Sequence, residues 1–111
     1  MKEFIEYLTL QIEAGKKDIA DLEKSGRQDD ADFAKVRTNI YDVCKTVTNA
    51  LMKRPDTGKE AVRAQLERFK KEWTAALDKA REHEDTRNTV VGETKLEALE
   101  DVIAHFPEDK R

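Results

Sequence analysis

The chain has 111 residues, 38% of them hydrophobic and 41% charged, with 21 basic and 24 acidic side chains and a formal net charge of −3. That length suits a single hydrophobic core, and the near balance of charge lacks the cationic excess on which broad binding to nucleic-acid phosphates rests. Disorder would need scarce hydrophobics or a large net charge, and with only 4 Gly and 2 Pro the composition favours long helices instead.

The first predicted helix covers residues 2–25. Ile5, Leu8, Ile12, Ile19 and Leu22 recur in alternating steps of three and four, with Gly15 in the remaining slot, which places them on one stripe. A glycine on an inward stripe implies close approach of a neighbouring backbone. Gly26 is placed to act as the left-handed C-terminal cap.

The second predicted helix covers residues 30–54, with Asp29 or Asp30 capping its free amides. Phe33, Val36, Ile40, Val43, Val47 and Ala50 form its stripe, widened by Cys44 and Leu51, and Pro55 stops it.

Thr57-Gly58-Lys59-Glu60 fits a capping box opening a third helix over residues 58–84. Val62, Leu66, Phe69, Trp73, Ala76 and Ala80 point inward with Leu77 on the flank, and Trp73 is expected to plug the core. The pattern fades after His83. A new stripe runs through Leu96, Leu99, Ile103 and Phe106, which predicts a break near residues 85–92 and a fourth helix over residues 94–106. Thr94 with Glu97 offers its capping box, and Pro107 closes it. The alternative is a start near Thr86 with the helix running straight through Gly92.

Short connections make successive helices antiparallel neighbours. The expected fold is all-α: an up-and-down antiparallel bundle of three long helices plus a shorter fourth, forming one domain over residues 1–111. Residues 1–32 hold 5 basic and 9 acidic side chains and residues 33–59 hold 6 and 2, which favours packing helix one beside helix two.

The chemistry-bearing residues are few. Cys44 has no histidine near it in sequence and sits beside an inward stripe, where cysteine behaves as a small hydrophobe. A lone cysteine, and a start that opens directly into an amphipathic pattern without a signal-length or membrane-length apolar run, suit a reducing cytoplasm. His83 ends the third helix, where a cation is favoured. Asp101 and His105 stand one turn apart, two ligands where a metal site needs three or four. Glu3/Glu6, Asp18/Asp21, Glu82/Asp85 and Glu97/Glu100 are carboxylate pairs of the kind that all-helical nucleotide pyrophosphohydrolases use for magnesium, yet in so acidic a chain such pairs arise by chance. Arg63, Lys70 and Arg81 flank Leu66, Trp73 and Leu77 as a basic edge that would pair with neighbouring helices or settle a phosphate. No Gly-rich phosphate loop, nucleophile elbow or zinc-protease helix is present. The residues therefore point to no catalytic, cofactor or metal site.

Beside its main stripe the first helix carries Tyr7, Leu10 and Ala14, roughly 140° around the axis at 100° per residue. The second adds Tyr41 and Met52 off its stripe. A helix that is apolar on two faces packs on both sides or leaves a sticky patch, so the fourth helix or a second copy of the chain is expected to cover this face. The expectation is a non-catalytic protein–protein interaction module that self-associates as a homodimer through Tyr7, Leu10, Ala14, Tyr41 and Met52, or binds another protein, with neither nucleic acid nor membrane as partner. The alternative is a metal-dependent nucleotide pyrophosphohydrolase-like enzyme.

Overall fold

The apolar periodicity is that of helices, and helices form. The structure, a computed structural model of the chain, describes residues 1–107. They form α1 (Lys2–Lys24), α2 (Gln28–Leu51), α3 (Gly58–Glu82) and α4 (Thr86–His105), with no strand among the described residues. None of these helices is long and apolar enough to cross a membrane.

Gly26 takes the left-handed conformation at φ +71°. Its amide donates to the carbonyl of Glu23 at 3.1 Å and that of Arg27 to Leu22 at 2.9 Å, so α1 closes on a glycine that carries no Cβ penalty there. Helix α2 begins at Gln28, earlier than the predicted cap. Asp29 and Asp30 lie inside its first turn, where carboxylates are favoured by the helix dipole, and Asp30 binds Arg27 at 2.6 Å instead of capping. Thr57 occupies the N-cap of α3 but makes no side-chain cap bond, so that capping box does not form.

The fourth helix corrects the prediction. It starts at Thr86 and spans 20 residues, running through Gly92 without a break. The break lies earlier. Glu84 adopts φ 52°, the one non-glycine residue with positive φ among the described residues, and the amide of Asp85 reaches the carbonyl of Ala80 at 2.9 Å. Asp85 then caps α4 by accepting from the amide of Asn88 at 3.1 Å. Thr94 is mid-helix and donates to the carbonyl of Val90 at 2.9 Å, which leaves no second capping box. Gly92 faces α3, where an added Cβ would meet Leu77 Cδ1 at 3.1 Å and Cβ at 3.3 Å.

The core gathers Phe4, Leu8 and Ile12 from α1, Ile40, Tyr41 and Cys44 from α2, Val62 and Leu66 from α3, and Ala98, Leu99, Val102 and Phe106 from the chain end. On α1 the buried line of Phe4, Leu8 and Ile12 leaves Ile5, Ile19 and Leu22 half-buried, a small rotation from the predicted stripe. On α2 the change is larger: Ala31, Ala34, Thr38, Tyr41, Cys44 and Thr48 are buried, while Val36, Val43 and Val47 are half-buried. Thr38 and Thr48 can enter the interior because each hydroxyl donates to the carbonyl four residues earlier, at 2.7 Å. That satisfies the polar group and turns the methyl to the core.

Helix α1 packs most extensively on α2, and α3 on α4; α4 also lies along α2, whereas the backbones of α1 and α4 approach at few points and side chains bridge them. The backbones of α1 and α3 do not approach each other among the described residues. Helices α2 and α4 are thus central, with α1 and α3 at opposite edges of a body measuring 46 × 35 × 22 Å. An edge helix buries only one side, and this leaves the open surfaces.

Candidate functional site

The first feature is a polar cluster joining three helices. The Tyr7 hydroxyl from α1 donates to Asp101 Oδ2 at 2.5 Å, and the Tyr41 hydroxyl from α2 donates to the same oxygen at 2.7 Å. His105, one turn along α4, stacks on the Tyr7 ring with centroids 3.8 Å apart, and its Nδ1–H donates to the Asp101 carbonyl at 2.8 Å. Burial, reinforced by the Asp101 carboxylate, pushes the Tyr7 hydroxyl up to about 12 and that of Tyr41 higher still. Phenols so shifted are held protonated, the reverse of what a nucleophile or general base requires. The cluster is a hydrogen-bonded tie between α1, α2 and α4.

Two tyrosines that the sequence placed off the main stripes are therefore engaged inside one molecule. Tyr41 is buried, Tyr7 is half-buried against α4, and Met52 is half-buried against the core. Leu10 and Ala14 are exposed, Leu10 by 61%. Sequence reading assigned Asp101 no such role. The available signal was chemical: an inward tyrosine needs an acceptor for its hydroxyl.

The second feature is a groove between the end of α3 and the start of α4, with a volume of about 320 Å³. Its origin lies in side-chain size. Along α3 the large Phe69 and Trp73 give way to the small Ala76 and Ala80 at the groove. Leu77, expected on the flank, is the buried residue of that turn in place of the exposed Ala76 and lies against Gly92 of α4. Trp73 forms one wall. It is half-buried rather than the core plug expected of it, with Phe69 stacked on it at 4.8 Å and Lys95 Nζ 5.9 Å from its ring centroid. Lys79, His83 and Lys95 also line the groove, and no carboxylate does.

The remaining candidates serve packing. Cys44 is buried, and burial pushes its thiol up to about 12. Arg63 lies over the Phe106 ring at 5.3 Å. Arg81 sits 3.9 Å from both Asp78 and Glu93, while Lys70 is exposed. The carboxylate pairs are not drawn together: no group of three or more His, Cys, Asp or Glu is placed to hold a metal ion among the described residues.

Compared with protein-family models, curated proteins and solved structures, the chain matches none.

Proposed function

We propose that the protein is a non-catalytic interaction module, a single up-and-down antiparallel bundle that associates with itself through the outer face of α1. The antiparallel reading draws on contacts between helix ends. Phe4 near the start of α1 meets Phe106 just past α4, with centroids 5.3 Å apart, and Lys35 early in α2 reaches Glu23 late in α1 at 3.3 Å.

The observation that carries the functional reading is Leu10. It is 61% exposed on the helix that lies at an edge of the body, and Ala14, one turn on, is exposed beside it. A single exposed leucine is ordinary. Here the more polar residue of the same face, Tyr7, is partly covered by α4, and the fully apolar one is left in water. Burial of a leucine side chain contributes about 1.5–3 kcal/mol, which a second copy could recover. The two tyrosines and Cys44, by contrast, are held protonated by burial, which supports a binding role over a catalytic one.

Static light scattering from low to high micromolar concentration tests the proposal. The expected result is a mass above that of the monomer, lost in Leu10→Glu while circular dichroism keeps the same helix content. A wild-type chain that stays monomeric throughout refutes it.

A further inference from the structure

We infer that the surface receiving Leu10 is the Trp73 groove of a second copy of the chain. The inference rests on the self-association proposed above and adds the partner surface that α1 alone lacks.

Two observations from opposite edges of the molecule meet here. Around Leu10, at one-turn and two-turn spacing, stand Glu3, Glu6 and Glu13 against a single cation, Lys17, all exposed, and none of the three carboxylates is in an ion pair among the described residues. The patch is a leucine flanked mainly by carboxylates. The groove is its complement: an apolar lining that includes Trp73, Leu77 and Ala80, with Lys79, His83 and Lys95 around it and no carboxylate. In a chain with 24 acidic side chains, a lining free of them marks a place prepared for negative charge. An apolar anchor entering a pocket while opposite charges meet around it is how short interfaces gain both affinity and register.

The size also fits. A leucine with its neighbouring alanine is a small anchor, and about 320 Å³ lies at the low end of the range that pockets for small ligands occupy. Leu10 and the groove lie on different helices, so the contact joins unlike surfaces. Made reciprocally between two molecules it closes a dimer; made by anchor and groove to different neighbours it grows an open chain.

Complementation tests the inference. Leu10→Glu destroys the anchor and leaves the groove intact. Ala80→Leu fills the groove and leaves α1 intact, and Lys79→Glu/Lys95→Glu reverses the rim without adding volume. Each variant is expected to raise the dissociation constant at least about tenfold, the loss of one central anchor or of its charge partners. Mixing Leu10→Glu with either groove variant is expected to restore association as a one-to-one heterodimer. The emission of Trp73, the only tryptophan, should shift on mixing. Wild-type association that persists unchanged in both groove variants overturns this inference and leaves self-association through α1 standing. A monomeric wild type removes both. Anilinonaphthalene sulfonate supplies the competing occupant: if it shifts Trp73 emission in monomeric Leu10→Glu but leaves wild-type association undisturbed, the groove takes small aromatic anions and the inference falls.

Discussion

Thr38 illustrates how one residue sets the distance between two helices. Its hydroxyl is turned back on Ala34, and its side chain stands where a Cβ on Gly15 would be, 2.0 Å from Oγ1 and 3.0 Å from Cγ2. Alanine at position 15 gains about 1 kcal/mol in helix propensity, but overpacking costs about 1–3 kcal/mol. A separation of 2.0 Å is far inside contact distance, so the steric effect wins. Gly15→Ala is expected to lower the urea midpoint, and Thr38→Ala in the same chain to restore most of it; a stabilised Gly15→Ala would show that α1 and α2 do not pack this closely. At the same scale, Tyr7 and Tyr41 make stability depend on alkali. Their raised values mean that folding favours the protonated phenols, a contribution complete below the unfolded value of about 10 and lost as pH rises through the folded one. For Tyr7 that window runs up to about 12. Absorbance titration at 295 nm should find two late-ionising phenols, and Asp101→Asn should lower their midpoints only partway, because burial, the larger cause, remains. Two midpoints near the ordinary value in the wild type would remove the tie.

The ends of helices carry the element-scale lesson. Gly26 and Glu84 do the same work, each taking positive φ just past a helix, but only one of them advertises it. A side chain in the left-handed region costs about 1–2 kcal/mol relative to the right-handed one, a penalty glycine avoids. Glu84→Gly is therefore expected to raise stability by about 1 kcal/mol, and Gly26→Ala to lower it by a similar amount. Thermal unfolding of the pair checks this, and a destabilised Glu84→Gly would contradict the assigned backbone. The missing glycine is also why the start of α4 was hard to read. The change of stripe phase points to a break anywhere in residues 85–92, while the chain turns at Glu84, caps on Asp85 and starts α4 at Thr86, the alternative start.

At the scale of the molecule, α2 and α4 lie at the centre, and α4 contributes Leu99, which is completely buried. Leu99→Ala is expected to cost about 2–5 kcal/mol, a large share of the roughly 5–15 kcal/mol by which domains are stable. Cys44 offers an internal gauge of the same loss. Buried, with its thiol pushed up to about 12, it should react with a thiol reagent only when the fold opens. A 2 kcal/mol destabilisation should then speed labelling roughly 30-fold. Fast labelling in the wild type, or a rate indifferent to Leu99→Ala, would show that Cys44 is reached without global opening.

What the sequence determined by itself was local. Spacing of Leu8, Ile12, Val62 and Leu66 sufficed for helices and for the inner face of the first half of α3 and the middle of α1, though Phe4 and Leu77 are buried where Ile5 and Ala76 were expected. Gly26 sufficed for the end of α1, because periodicity and backbone freedom are properties of a short stretch of chain. The choice of buried face on α2 was not local. Val36, Val43 and Val47 make the more apolar stripe, yet Ala31, Ala34 and Thr38 go inside, since small residues let α1 approach and a threonine can satisfy its own hydroxyl on its own helix. The fate of Tyr7 and Tyr41 likewise waited on Asp101, which lies 94 and 60 positions away. The Trp73 groove waited on Gly92 arriving against Leu77 of α3. Those outcomes depend on which surfaces meet, and only the packed helices decide that.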